Sequence, residues 1–474
     1  MNSATNIVQA LPLPPVYYHA RETSYWRMDE NNRWIKVNDA SAKSFIAEHA
    51  YSKSPSTPGA NSEVEKCIME IQAKQNVAYV GPLAGHCAGV YRMGDNQILV
   101  TDSPKFIVPK AGEWCTLDAL FRGMFVDGDL DQRPYFYGWL KNALESFRQR
   151  RWKASQLFAM AGPAGSGKSL TQNLLTAMFG GRSSKPYQFM MGHTQFNSHM
   201  FGAEHLMLED EAESVDIRSR RHFAANIKTI LTGRDQNCHA KHREALILNP
   251  LWRMSLSLND DPERLQVLPP LDIDVRDKII VLKIIKTRMP MRTGTPAADE
   301  RFWAQLVSEL PGFVHYLEQW QVPDALADSR YGITPYQHPE IVEKLEQTTP
   351  EMKLLEFIDG EIFRNPSTPL NHARLEPWEG SSTTLETRLV NPPSRIIHEA
   401  RKLLTWQNSC GTYLARLEDT ENEHIADRVT SHRRNGLTVW TIQPPRCPEA
   451  LPEGNGGQPE PDQELPPPPA CLVS

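Results

Sequence analysis

The chain has 474 residues, room for about three domains of ordinary size. It is 40% hydrophobic and 23% charged with a formal net charge of −6, which fits a globular protein and excludes a uniformly basic nucleic-acid binder. No run approaches the roughly 18 apolar residues of a membrane span; with no leader pattern and seven cysteines lacking any C-x-x-C pair, a reducing, cytoplasmic setting without membrane, zinc ribbon or disulfide framework is expected.

Residues 1–20 are apolar and interrupted by prolines. Ser24–Met28 and residues 33–37 flank Asp29-Glu30-Asn31-Asn32, the pattern of a β-hairpin. A helix over Glu63–Lys74 precedes strand-like runs at 77–80 and 97–101. Residues 1–110 therefore read as a small α+β accessory domain. Its aromatic side chains suit either the domain core or a stacking surface for bases, and core packing is the expectation. Residues 134–151 form a helix with aromatic and leucine positions on one face, ending in Arg148-Gln149-Arg150-Arg151.

Leu157–Ala161 is an unbroken apolar run, the mark of a short buried strand. It leads at once into Gly162-Pro163-Ala164-Gly165-Ser166-Gly167-Lys168-Ser169, which matches the phosphate-loop pattern G-x-x-x-x-G-K-[ST] without a mismatch. Glycines let the backbone curl so that successive N–H groups point at phosphate oxygens. Lys168 brings positive charge to the β- and γ-phosphates, and the Ser169 hydroxyl can ligate Mg²⁺. Residues 170–179 continue as a helix whose positive N-terminal end faces the nucleotide. The expected fold class is α/β, built on a P-loop NTPase core that binds a nucleoside triphosphate.

Further on, His205-Leu206-Met207-Leu208 is an apolar strand that ends in Glu209-Asp210-Glu211. One acid at such a strand end can hold Mg²⁺ and another can polarise the attacking water. Asp210 as metal ligand with Glu211 as base is one register; Glu209 with Asp210 is the other. Residues 238–248 contain the basic turn Lys241-His242-Arg243. Trp252-Arg253-Met254-Ser255-Leu256-Ser257-Leu258-Asn259 is another strand, tipped by a neutral amide able to bond the γ-phosphate or the lytic water.

Apolar positions at helical spacing recur over 302–320, interrupted by Pro311-Gly312. A linker over 322–350 leads to a C-terminal unit at 351–443, in which a helix over 394–417 precedes a hairpin tipped by His432-Arg433-Arg434-Asn435-Gly436. That order is winged-helix-like. Arg395, Arg401, Lys402, Arg433 and Arg434 suit DNA phosphates, and the same unit also suits protein docking. The Pro-rich, acidic residues 444–474 are expected to be a disordered tail.

Phosphate loop, acidic strand end and Asn-tipped strand together resemble the superfamily 3 helicases, the AAA+-like motors of small DNA viruses, phages and poxvirus-type primase-helicases. Residues 110–320 carry the resemblance, and an ATPase domain over 111–321 follows from it. It implies ATP and Mg²⁺ as cofactors, a homo-hexameric ring with ATP between subunits, and single-stranded DNA in the channel. Residues 238–248 look like the family's DNA-engaging hairpin, with Lys241 and His242 at its tip. Asn259 takes the position of the family's sensor. The family places a trans-acting arginine just before the next strand; here Lys278 holds that position, with Arg276 two residues earlier, and lysine lacks the guanidinium fork. No separate primase domain is legible, so a primase or polymerase partner would be another chain. The function implied is an ATP-driven replicative DNA helicase. The alternatives are a replication-initiator switch without processive unwinding and a small-molecule phosphotransferase.

Overall fold

Leu157–Ala161 (β1) is buried at every position and lies within a five-stranded parallel sheet. The other strands are Ser183–Ser184 (β2), His205–Glu209 (β3), Arg253–Leu258 (β4) and Ile279–Lys283 (β5), in the spatial order β2-β3-β4-β1-β5. Ala159 pairs with Leu256 of β4 on one side and with Val281 of β5 on the other. Leu208 of β3 pairs with Leu256. A parallel sheet is covered on both faces, which is why β1 and most of β5 read as apolar runs, while β4 alternates Ser255 and Ser257 with Met254, Leu256 and Leu258. The computed structural model describes residues 15–49, 51–209, 217–269, 271, 273–347, 349–363, 376–419, 425, 427–434 and 436–445.

The covering helices include Cys115–Phe125 (α1), Arg133–Gln149 (α2), Lys168–Met178 (α3), Ile217–Thr232 (α4) and Pro296–Gln319 (α5). α1, α2, α3 and α5 share one core with β1 and β5. Its centre is aromatic: Trp139 stacks on Phe158 with centroids 4.8 Å apart, and Phe121 lies 5.2 Å from Phe313. The interruption expected at Pro311-Gly312 does not occur, and α5 runs through it. An interior proline costs a helix about 3 kcal/mol, but Leu310, Phe313 and Val314 are fully buried and hold the turn in place. Gly312 has a separate cause. The 110–113 segment crosses the helix here, with the Lys110 N–H donating to the Pro311 carbonyl at 3.1 Å, and a Cβ on Gly312 would lie 2.8 Å from the Gly112 oxygen.

Near the N-terminus, Val16–His19, Ser24–Met28 and Trp34–Val37 form an antiparallel sheet containing the expected hairpin, whose turn places Asn32 at φ +57°. Val16 and Tyr25 on one face pack on helices Asp39–Glu48 and Glu63–Lys74 through Ala42, Ile46, Ile68 and Ile71. The second helix starts with a capping box between Ser62 and Glu65. Tyr79–Gly81, Gly89–Met93 and Asn96–Val100 make a further three-stranded sheet.

Two compact units divide the chain, Met1–Ile341 and Val342–Ser474. The second has its own core, including Leu354, Leu385, Leu414, Trp440 and Ile442. Its sheet orders Trp378–Gly380, Leu437–Ile442 and Val429–Arg434 side by side. The single helix expected over 394–417 is two, Ile397–Leu403 and Ser409–Glu418, separated where Asn408 takes φ +67°. Arg433 and Arg434 are exposed at the strand end, while Asn435 and the tail beyond residue 445 lie outside the described residues. Among the described residues no helix is long and apolar enough to cross a membrane.

Candidate functional site

At the C-terminal end of β1 the chain turns back under β5. A Cβ on Gly162 would stand 2.3 Å from the Ile284 carbonyl oxygen, so this position admits only glycine. Gly167 caps α3 at φ +92°, a left-handed conformation that strains other residues. Between them the loop closes around the Lys168 ammonium, which donates to the Gly162 and Pro163 carbonyls at 2.6 and 2.8 Å. Lys168 also reaches Asn259 Oδ1 at 3.4 Å, although the two lie 91 positions apart. The loop lysine and the tip of β4 are therefore brought together.

A cleft of about 710 Å³ opens here, and Gly165, Gly167, Ser169, Glu209 and Asn259 all line it. Of the acids, Glu209 ends β3 and accepts from Lys185 Nζ at 2.6 Å. Asp210 and Glu211 lie outside the described residues. Met289, Phe302 and Trp303 supply an apolar wall, and Arg264 lines the cleft from the short helix after Asn259. Sequence reasoning missed these residues, since nothing local marks them.

It also missed a polar chain beneath the cleft. Gln172, one turn into α3 from Lys168, donates through Nε2 to the Leu208 carbonyl at 3.0 Å and to Ser255 Oγ at 2.9 Å. Ser255 Oγ lies 2.8 Å from His205 Nε2, and His205 Nδ1 lies 2.7 Å from the Thr176 hydroxyl. Thr176 in turn donates to the Gln172 carbonyl at 3.1 Å. One proton on Nδ1 of a neutral imidazole satisfies the whole circuit. The loop helix is thereby tied to β3 one residue before its acidic end. Polar residues inside apolar strands were the available signal.

Burial pushes the His205 imidazole down to about 3 from the ordinary 6.5. Below pH 6.5 the unfolded chain takes up a proton that the folded chain refuses. Stability from this group is present above that pH and is lost as pH falls toward 3, by up to about 1.4 kcal/mol per pH unit. Urea midpoints at neutral pH and near pH 5 should show wild type losing more stability on acidification than His205→Asn. Equal losses would mean that the imidazole is not held neutral.

Lys278 and Arg276 are not part of the cleft. Lys278 precedes β5 at the opposite end of the sheet, where its carbonyl accepts the first amide of β1, and its ammonium donates to the Asp274 carbonyl at 2.8 Å and to Asp277. Arg276 donates to Gln337 at 3.4 Å. Lys241 and His242 are likewise remote. They are exposed in the loop between Gln236–Cys238 and Leu246–Leu248, an antiparallel hairpin in which His242 takes φ +62°. Asn197 fixes the base of that loop, with Oδ1 accepting from the His239 amide at 2.7 Å and Nδ2 donating to the Asn237 carbonyl.

Residues 160–272 match a family described only as a family of unknown function, DUF5906. No curated protein matches the chain. The solved apo structure of the NrS-1 C terminal region (305-718) is similar over 90% of this chain and 95% of its own, with 14% sequence identity and a TM-score of 0.51. That is a likeness of fold. An active helicase, SCCmec type IV Cch, is 11% identical over 88% of this chain and 71% of its own, with a TM-score of 0.28. A JCV helicase structure is 12% identical over 53% of this chain and 64% of its own, with a TM-score of 0.25.

Proposed function

We propose that this chain is an ATP-dependent DNA helicase of the superfamily 3 type, with a motor over 111–321, an accessory domain over 1–110 and a winged-helix-like unit over 351–443. The observation that carries the reading is the meeting of Lys168, Glu209 and Asn259 in one cleft at the carboxyl edge of a parallel sheet. Ligands of open α/β sheets bind at that edge. A nucleoside triphosphate suits this donor set: curled loop amides and Lys168 for the phosphates, Met289 and Trp303 for the base. Ser169 with Asp210, or with Glu209 in the other register, would hold Mg²⁺, which would supply positive charge to the phosphates. Glu211 orients and deprotonates the attacking water, and Asn259 positions it. Lys241 and His242, away from the cleft, engage single-stranded DNA. The working form is a homo-hexamer in the cytoplasm, with any primase or polymerase on a separate chain.

Strand displacement on a forked duplex with ATP tests the reading directly. DNA-stimulated ATP turnover without displacement would favour the initiator switch.

Lys278 gives a second expectation. The length of β5, roughly 15 Å, separates it from its own subunit's cleft, so its role as finger requires a neighbour. Lys278→Ala mixed with wild type in equal parts should depress ATP turnover well below the arithmetic mean. Activity strictly proportional to composition would remove the shared site, and the same mixture with Arg276→Ala identifies which cation acts.

A further inference from the structure

Strand alternation divides the aromatic residues of the N-terminal sheet between two faces. Tyr25 and Tyr18 join Val16 on the face packed against the helices. Tyr17, Trp26 and Lys36 are cross-strand partners on the other face, and Trp34, two residues from Lys36, shares it. Core packing, the expectation for these aromatics, holds only in part for this set: Tyr17, Trp26 and Trp34 are each partly exposed. Tyr17 and Trp34 meet edge to face at 5.6 Å. The Trp26 and Trp34 indole N–H groups are buried beneath this face and have no acceptor among the described residues. What the face offers is therefore the partly exposed rings themselves.

Cations border the rings on the side of the basic hairpin. Lys36 is half exposed and donates to Glu22 at 2.8 Å, and Arg243 of the hairpin loop donates to the same carboxylate at 2.6 Å. These two hold Glu22 down to about 2. Arg21 donates to the Glu244 carbonyl at 3.1 Å from the sheet side. Sheet and hairpin are thus one surface, on which Glu22 occupies two cations that a phosphate oxygen could take in its place.

We propose that the outer face of the N-terminal sheet, with Tyr17, Trp26, Trp34 and Lys36, binds single-stranded nucleic acid and continues through Arg21 and Arg243 onto the hairpin. Every base offers a π-face, so stacking on these rings is tolerant of sequence, and the cations follow the backbone. Strands about 4.8 Å apart place Tyr17 and Lys36 roughly 10 Å from each other, a footprint of one or two nucleotides. Only the continuation onto the hairpin rests on the helicase reading; the stacking face stands without it.

The test is fluorescence anisotropy of the full chain with a short labelled oligo(dT), alongside basal ATP turnover, thermal melting and sedimentation. Tyr17→Ala and Trp34→Ala should each weaken oligo(dT) binding about fivefold or more, with basal turnover unchanged, and Trp34→Phe should retain most of the affinity. Lys36→Gln should lower the salt dependence of binding. If Trp34→Ala melts lower than wild type, Trp34→Leu keeps the apolar cover without the ring, and Lys36→Gln is too exposed to disturb folding. Wild-type affinity in both would overturn the proposal, as would variants that lose only self-association, which would make the face an interface between copies. Lys241→Ala in the same titration separates the two readings. A loss there with none in the aromatic variants leaves the hairpin and removes the sheet, and the reverse pattern leaves the sheet and removes the hairpin.

Discussion

Lys168→Ala should abolish ATP hydrolysis, by about a hundredfold at least, while the protein stays folded. The Lys168 side chain is almost fully buried, and among the described residues its ammonium meets polar groups: loop carbonyls, Ser166 and Asn259. No apolar core depends on it. Alanine is the best helix former at the start of α3, and the freed carbonyls border a cleft open to water. On the proposed reading, removing the charge leaves the backbone cradle but takes away the group that would neutralise phosphate oxygens as the terminal bond breaks. Glu211→Gln should differ in kind: nucleotide still binds and the assembled state is trapped. ATP turnover, nucleotide affinity and melting temperature together check this. Near-wild-type turnover in Lys168→Ala would take the loop out of the mechanism. Trapping by Glu209→Gln in place of Glu211→Gln would move the base to the first acid of the strand end.

What could be read from the chain alone was whatever is encoded locally. Leu157–Ala161 is apolar at every position because both sheet faces are covered, and the loop after it follows a fixed spacing, so strand and loop were legible together. Asn259 was legible because it directly follows the strand-like run Arg253–Leu258, in series with the phosphate loop and the acidic strand end. Pro311 misled because a single residue's helix penalty is visible in sequence, whereas the packing of Leu310, Phe313 and Val314 that outweighs it is not. The circuit from Gln172 through Ser255 and His205 to Thr176 joins three elements, and no spacing rule links them. The Arg243–Glu22 pair spans 221 positions and is illegible for the same reason. Tyr25 and Trp26 are adjacent in sequence but face opposite sides of one sheet, so counting aromatics did not tell core from surface.

On the helicase reading, Lys241→Ala should leave basal ATP turnover intact and eliminate strand displacement, because the hairpin and the cleft are separate places on the chain. The hairpin branches from the chain between α4 and β4, and its two short strands pair only with each other. Among the described residues Lys241 and His242 have no ion-pair partner, whereas their neighbours Arg243 and Glu244 are engaged by Glu22 and Arg21. The tip is therefore presented on a loop fixed at Asn197 on one side and at the N-terminal sheet on the other, with Lys241 exposed between them. In the proposed ring each subunit would offer one such ammonium to a single strand. Ion pairs of this kind release counterions, so affinity should fall steeply with salt and vary little with base sequence. Removing one lysine per subunit should reduce the slope of log affinity against log salt by roughly 0.7 for each phosphate of single-stranded DNA that is no longer neutralised. Basal turnover, DNA-stimulated turnover, salt-dependent binding and displacement of a forked duplex form one set of measurements. Abolished displacement with intact basal turnover and a flatter salt slope supports a motor that grips DNA at this tip. Unchanged displacement would detach the hairpin from DNA, and with it the strongest reason to prefer a helicase over an ATP-driven switch.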